Sequence, residues 1–436
     1  MREPLHSPQP NEAPFALYRG RLVTRGNLWS DVRELARRLP ERPSMFNLCE
    51  NRYLFCVSLL AAAWRGQACL LPPSSQAAVL REIADDYPGA YVAAEREAQA
   101  AGLPWFEVAA TQSGAAAPEP DYDWRHPAVI AFTSGSGGRP KPCVHSLGTF
   151  RTSALMALSS LGLGQQPRLL LSTTPPQHMY GLETSVFWPL FSRLVLHDGK
   201  PFFPEDIRRI AANAPWPALL ASTPTHLRAL VKAPGSWDEI AGVISATDAL
   251  PEQLAGQIKT ALGRSPHEIY GSTETLSFAN REPLRDSLWR PYAGARLIPD
   301  AAGQTRLESP HLPDPVWLQD DLRIEPDGRF NLLGRQQDMV KIGGKRASLA
   351  ELNRRLKDID GVEDGFCYLQ ETETGEGRLA AVVVGTADKQ SVRQGLRPYV
   401  DEVFLPRRVH FAESLPRNAV GKLTKAELER FLANLA

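Results

Sequence analysis

Nothing in this sequence provides for a covalent or metal-bound framework. Its five cysteines, Cys49, Cys56, Cys69, Cys143 and Cys367, are scattered, odd in number and form no CxxC pair, which excludes a disulfide scaffold or a zinc site read from spacing. Neither sign of charge is in excess, with 49 Lys plus Arg against 49 Asp plus Glu, so no chain-wide field draws it to nucleic acid or an anionic membrane. A long apolar run is missing as well. The longest, Leu54 to Trp64, is too short to span a bilayer, and the N-terminus lacks the basic-then-apolar order of a signal peptide. These absences predict a cytoplasmic protein with no membrane insertion and no nucleic-acid partner. The cysteines read as small core residues; Cys143, beside a Gly-rich loop, has the alternative reading of a nucleophile, but no His or acidic partner is placed for it by sequence.

What is present is an alternation of helix-like and strand-like segments. At 436 residues the chain exceeds what one core usually supports, so a large domain and a smaller one are expected. The amphipathic run Leu28 to Leu39 and the apolar runs Leu54 to Trp64 and Ala68 to Leu71 begin the pattern. Short apolar runs then recur at Ala128 to Phe132, Arg168 to Ser172, Leu194 to Leu196, Ala218 to Ser222 and Gly242 to Ser245, most followed by a helical pattern, as in parallel βα units. The stretch Gly114 to Pro120 reads as a surface connector. Near residue 334 the character changes: beyond it lie capping-box signals, Ser348 with Glu351 and Thr424 with Glu427, and strand-like runs Gly365 to Gln370 and Leu379 to Val384. The fold class predicted is α/β, with a large multi-layered N-terminal domain (1–333) of mostly parallel sheets, a hinge at 334–338, and a small mobile α+β C-terminal domain (339–436).

The segment AVIAFTSGSGGRPKPCVHS, Ala128 to Ser146, runs an apolar strand into a cluster of Thr, Ser and Gly that ends in Pro140-Lys141. Glycines let backbone N–H groups turn inward, hydroxyls add donors, and the lysine adds a positive charge; together these can cradle a polyphosphate. It is not a Walker A loop, because Pro140 precedes the lysine and Pro142 follows it. Taken alone, the composition fits a flexible surface loop between strand and helix better.

The order of segments TSGSGGRPK, then IYGSTET at 269–275, GRQQDMVKIGGKR at 334–346 and PRNAVGK at 416–422 resembles the adenylate-forming superfamily of acyl-CoA synthetases, peptide-synthetase adenylation domains and luciferases. The resemblance implies ATP and Mg²⁺ as requirements and a nucleotidyl transfer in which a substrate carboxylate attacks the α-phosphate. The protein then mainly positions the partners and neutralises charge. It implies that Thr133, Ser134, Gly135, Ser136 and Lys141 hold the β- and γ-phosphates, with Gly137 standing where the family has Thr or Ser. Tyr270 is implied against adenine, Thr273 on the α-phosphate and Glu274 on the metal. Asp321 takes the place of the ribose-binding aspartate, with Asp320 a competing candidate because Gln319-Asp320 replaces the family's Thr-Gly. Arg335 follows in the ribose and hinge position, its bland alternative being a solvated charge at a turn.

Lys422 is implied to bridge the substrate carboxylate and the α-phosphate during adenylation. Rotation of the small domain then withdraws it and brings in Lys341 to Arg346, where Gly343 and Gly344 let a pantetheine arm pass close to the backbone. Gln337, with Asp338 beside it, stands where the family has its hinge aspartate. The acid pocket is implied at Pro175 to Leu182, Thr223 to His226, Ser245 to Asp248 and the backbone before Gly271, with His178, Tyr180, Thr225, Ser245 and Gly271 as lining residues. His178 is also implied to close on the carboxylate during catalysis, its alternative being a satisfied structural histidine. Ala246-Thr247 replace the family's Gly-Gly and argue for a compact acid.

The short N-terminal half and PPQHMYGLE are similar to the ligases of bacterial aryl-polyene and xanthomonadin pigment clusters. That implies an aryl acid of the hydroxybenzoate type loaded onto a holo-acyl carrier protein, docked on a basic face of Arg354, Arg355, Lys357, Arg393, Arg397, Arg407 and Arg408. An acyl-CoA ligase for an aryl or fatty acid is the nearest alternative, and a non-catalytic nucleotide- or acyl-adenylate-binding protein the alternative of another class.

Overall fold

The computed structural model describes residues 2–4, 9–109, 114–134, 140–301, 303–335, 339–342, 345–371, 377–398, 400, 402–417, 423 and 425–434. Two large sheets dominate. The first runs Pro140–His145, Val129–Ser134, Ala68–Leu71, Ser44–Asn47, Tyr91–Ala94, Trp105–Glu107, parallel throughout except at Pro140–His145. The second has nine strands in the order Arg290–Pro291, Leu276–Arg281, His267–Ser272, Ile240–Ser245, Ala218–Ser222, Arg168–Ser172, Leu194–His197, Pro14–Tyr18, Arg21–Thr24. It is parallel from His267–Ser272 through Pro14–Tyr18 and antiparallel at both edges.

The period-two alternation of strand side chains builds the layers. Leu170, Leu219 and Ile244 of the nine-stranded sheet and Met45, Leu71 and Ala93 of the six-stranded sheet enter one shared core with the helices Arg25–Arg38, Arg52–Trp64 and Leu147–Ser160. Their neighbours Leu169, Leu171, Leu220 and Val243 face the other way and are covered by Pro204–Ala212, Pro224–Lys232 and Glu252–Leu262. Phe46, Leu70 and Val92 are covered on the outer face of the six-stranded sheet by Ala77–Asp86. Apolar residues at nearly every strand position are what burial on both faces demands.

The helix Arg52–Trp64 is buried at nearly every position, which explains its continuous apolar text; Asn51 caps it by accepting from the N–H groups of Tyr53 and Leu54. The connector beginning at Gly114 is mostly exposed, as expected. A smaller C-terminal domain carries its own core, in which Leu352, Leu356, Leu379, Ala381, Val383, Val392 and Leu396 pack together. Its sheet pairs Val362–Glu371 antiparallel with Gly377–Gly385, and Gly377–Gly385 parallel with Arg408–Phe411. Helices begin at Leu349 and Lys425, where the capping-box signals put them; Thr424 and the side chains of Ser348 and Glu351 lie outside what is described. No helix among the described residues is long and apolar enough to cross a membrane.

Candidate functional site

The parallel strands Arg168–Ser172, Ala218–Ser222, Ile240–Ser245 and His267–Ser272 are neighbours in that order, and each ends in small hydroxylated residues. Ligands in open α/β sheets gather outside the carboxyl ends of such strands. Register places Ser172 beside Ala221, and Ser222 beside Ser245. The hydroxyls of Thr173 and Ser222 lie 2.9 Å apart, and both Thr173 and Thr223 stand 3.0 Å from His226 Nδ1. Burial, with help from the charge of Lys200, lowers the pKa of His226 to about 4, so the ring is neutral at pH 7. Ser245 is fully buried and its hydroxyl has no partner among the described residues, which leaves a donor and acceptor for a bound group.

Of the pocket residues expected from sequence, Thr225 sits half-buried in the first turn of Pro224–Lys232. Tyr180 is placed differently from a lining residue that could address the substrate. It is 5% exposed and its hydroxyl donates to the Ile244 carbonyl at 2.8 Å, so it supports the pocket from the sheet side. His178 caps the short helix Met179–Leu182, its Nδ1 accepting from the Tyr180 N–H at 3.3 Å, which orients the ring from the backbone. Gly271 has no room for a side chain: a Cβ there collides with the Leu276 carbonyl across the turn.

Thr247 takes φ +82°. A β-branched residue in the left-handed region is strained, and this is the position where the family resemblance has glycine. Thr247→Gly is expected to raise stability by about 1 kcal/mol, the relieved strain exceeding the added unfolded-state entropy. Urea unfolding checks this; a loss of stability contradicts it.

The turn between His267–Ser272 and Leu276–Arg281 carries Thr273 and Glu274, and the hairpin Val129–Ser134/Pro140–His145 carries Thr133 and Lys141 as cross-strand partners. Burial and then the nearby Glu274 carboxylate push the Cys143 thiol up to about 11, which disfavours the thiolate a nucleophile needs, and Cys49, Cys56, Cys69 and Cys367 are buried. The Glu274 charge is also felt at His145, whose Nε2 lies 2.7 Å from the Thr273 carbonyl. Hairpin and turn therefore face one another. Gly135 and Ser136 lie outside the described residues, as does the Ser134 side chain.

Tyr270 sits among Phe278, Trp289 and Phe330, with ring centroids 5.2, 5.3 and 5.8 Å away. Its hydroxyl donates to Asp320 Oδ2 at 2.6 Å. Successive strand residues face opposite ways, so within Asp320–Ile324 it is Asp320, not Asp321, that points to the tyrosine. Asp320 is also the residue across from Arg335 in the ladder. The geometry thus favours the competing aspartate.

Several residues that shape this region were assigned no role from the sequence. Arg52, 1% exposed, donates to the carbonyls of Ser172 (3.2 Å), Thr174 (2.8 Å), His197 (3.3 Å) and Gly199 (2.5 Å), pinning the loop that leads to His178. A charged residue opening an apolar helix was the one trace of it in the text. Glu183 accepts from the Ser277 N–H (3.0 Å), the Ser277 hydroxyl (2.7 Å) and the Ser153 hydroxyl (3.2 Å). Burial outweighs these bonds and raises its pKa from 4.5 to about 6. Because the folded state holds this proton more tightly, the stabilisation is complete below pH 4.5 and is lost as pH rises through 6; the fall is about 2 kcal/mol. Glu183→Gln should flatten the stability profile between pH 4.5 and 6. An unchanged profile in urea melts across that window would refute this.

The small domain meets the large one through Lys357 Nζ to Asp248 Oδ2 (2.7 Å), Lys232 to Glu363 (2.8 Å) and Gln253 to Asp360 (3.0 Å). Burial raises and Lys357 and Arg417 lower the pKa of Asp248, the cations prevailing. Arg417 holds Asp364 through two bonds of 2.6 and 2.7 Å. Of the expected basic docking face, Lys357 pairs with Asp248, with 9% of its side chain exposed, and Arg393 donates to the Pro406 carbonyl. Lys422, Gln337, Asp338, Gly343 and Gly344 lie outside the described residues, as does the Arg335 side chain.

The parallel sheet thus ends in hydroxylated residues, flanked by a Lys-bearing hairpin and a Thr-Glu turn. The family model described as AMP-binding enzyme matches residues 41–301, and the chain belongs to that family. Among curated relatives, a 4-coumarate–CoA ligase of Halorhodospira halophila is 30% identical over 69% of this chain and 76% of its own length. A malonate–CoA ligase of Arabidopsis thaliana is 25% identical over 71% of this chain, the match spanning 61% of that ligase. Among solved structures, ATP-bound MatB from Rhodopseudomonas palustris superposes with TM-score 0.84 over the whole of both chains at 20% identity. A benzoate CoA ligase from Burkholderia xenovorans LB400 gives 0.78 over 96% of each at 19%. The expected fold class is therefore the observed one.

Proposed function

We propose that this protein activates a small aryl carboxylic acid as an acyl-adenylate and passes the acyl group to a thiol. The observation that carries the reading is the apposition of the Thr133/Lys141 hairpin and the Thr273-Glu274 turn, tied by the 2.7 Å His145 bond, at the carboxyl ends of the strands that form the pocket. A carboxylate oxygen of the acid attacks the α-phosphorus of ATP and pyrophosphate leaves. The thiolate sulfur then attacks the acyl carbon, and AMP leaves.

In the first step Lys141, Thr133, Ser134, Gly135 and Ser136 hold the outer phosphates, and Thr273 donates to the α-phosphate. Tyr270 offers its ring to adenine, and Asp320, in preference to Asp321, accepts from the ribose with Arg335 opposite. Glu274 is an exposed, hard oxygen ligand, and no group of three metal-binding side chains occurs among the described residues. Glu274 would hold a Mg²⁺ ion there, and the ion when bound would offset phosphate charge. Asp320→Asn should raise the KM for ATP roughly tenfold, as loss of a charged hydrogen-bond acceptor implies, and Asp321→Asn should leave it within about twofold. Initial-rate kinetics decide between them, and the reverse order returns the role to Asp321.

Arg417 lies within electrostatic reach of Asp248 of the large domain and stands five residues before Lys422 in the sequence. This supports Lys422 as the bridge between the two anions in adenylation, with rotation about 334–338 exchanging it for the Gly343-Gly344 loop. His178, held by the Tyr180 N–H, closes on the carboxylate. Relatives named as CoA ligases, and a basic face partly committed to internal contacts, favour CoA as the thiol. A holo-acyl carrier protein, as in pigment-cluster ligases, is the second reading, supported by the similarity of PPQHMYGLE. Thioester formation from ATP, 4-hydroxybenzoate and each acceptor, read by mass spectrometry, separates them: acyl-CoA is expected, and acylation of the carrier alone reverses the choice.

A further inference from the structure

Two histidines that were assigned no role from the sequence grip the turn that carries Thr273 and Glu274. His145, the last residue of Pro140–His145, places Nε2 2.7 Å from the Thr273 carbonyl. His311, from a loop of its own, places Nε2 2.7 Å from the Thr275 carbonyl. A carbonyl can only accept, so each Nε2 carries the proton. The second nitrogen of His311 lies 2.8 Å from the Ser309 hydroxyl, which holds the ring from behind. His145 packs edge-on to Phe150, 5.6 Å between centroids. Both rings are buried, at 4% and 3% exposure.

The turn has little else to hold those carbonyls. Its own reciprocal bonds, Ser272 N–H to Thr275 Oγ1 (2.9 Å) and Thr275 N–H to Ser272 Oγ (3.3 Å), satisfy N–H groups and leave the carbonyls to outside donors. Leu276, directly after, takes φ +52°, so the backbone is bent into a conformation that side chains rarely adopt and that neighbours must hold. His145 comes from the hairpin with Thr133 and Lys141; its bond is thus a strut between the two halves of the proposed phosphate site.

We infer that His145 and His311 are positioning residues for acid activation, fixing the Thr273 and Thr275 carbonyls so that Thr273 and Glu274 hold their places against the hairpin. The inference rests on the assignment of that turn to the nucleotide's phosphates. Asparagine at either position reaches only as far as Nδ1 and loses the bond, whereas glutamine reaches the Nε2 position and keeps a donor there.

Acid-dependent ATP–pyrophosphate exchange is measured for His145→Asn, His145→Gln, His311→Asn and His311→Gln, with Thr273→Ala alongside and melting curves for all. Expected is a fall in kcat of about tenfold or more for the Asn variants, as small misplacement of reacting groups implies, with KM for the acid little changed and recovery in the Gln variants. If the Asn variants melt earlier but turn over normally while folded, or if Asn and Gln behave alike, the inference is overturned. If Thr273→Ala leaves exchange unchanged, the phosphate assignment fails instead, and the inference fails with it for that identifiable reason.

Discussion

Lys422→Ala is expected to depress acid-dependent ATP–pyrophosphate exchange by roughly 10² to 10³, the loss seen when one preorganised charge-stabilising donor is removed from a transition state. Transfer from a supplied acyl-adenylate to the thiol should be nearly unaffected. The asymmetry follows from charge. In the first step a carboxylate approaches a phosphate, and a cation between them offsets a repulsion that grows as they meet. In the second step the acyl group is already neutralised as a mixed anhydride and no such pairing remains. Arg417, five residues ahead of Lys422 in the sequence, is held to the small domain by Asp364. Equal losses in both half-reactions would contradict this role.

The largest effect on stability is expected at Arg52. Its guanidinium reaches the carbonyls of Ser172, Thr174, His197 and Gly199 from inside the shared core. Burial lowers its pKa to about 10, with Asp198 opposing, so it stays charged at pH 7. Arg52→Leu leaves buried carbonyls without donors, and each such orphan costs about 1–3 kcal/mol. The gain from no longer burying a charge offsets only part of that. A net loss of about 3 kcal/mol or more is expected, measured by urea unfolding. A change below about 1 kcal/mol would mean that the carbonyls find water or relax, and that the guanidinium is not their main support.

The layers were readable because burial on both faces leaves a continuous apolar text: Arg168–Ser172 and Ala218–Ser222 begin and end where the Leu-rich runs do. The motif residues were readable because phosphate and metal chemistry needs particular side chains in short order. Arg52, His145, Glu183 and His311 escaped because each acts on backbone atoms far away in the chain; His145 reaches across 128 residues to Thr273 and Glu183 across 94 to Ser277. A backbone N–H or carbonyl is nearly the same in every residue type, so its partner leaves no pattern to find. Asp320 and Asp321 show a different limit: adjacent strand residues differ only in the face they take, and the Tyr270 hydroxyl is what distinguishes them. Tyr180 illustrates the converse, a polar aromatic in a motif whose hydroxyl serves the sheet.

The most direct test of acid activation is ATP–pyrophosphate exchange across benzoate, 3- and 4-hydroxybenzoate, cinnamates and fatty acids of graded length, with Mg²⁺ present. Exchange that depends on added acid and is strongest with the hydroxybenzoates is the predicted result. Exchange with fatty acids alone would keep the chemistry and overturn the substrate class, and no exchange with any acid would contradict adenylation itself.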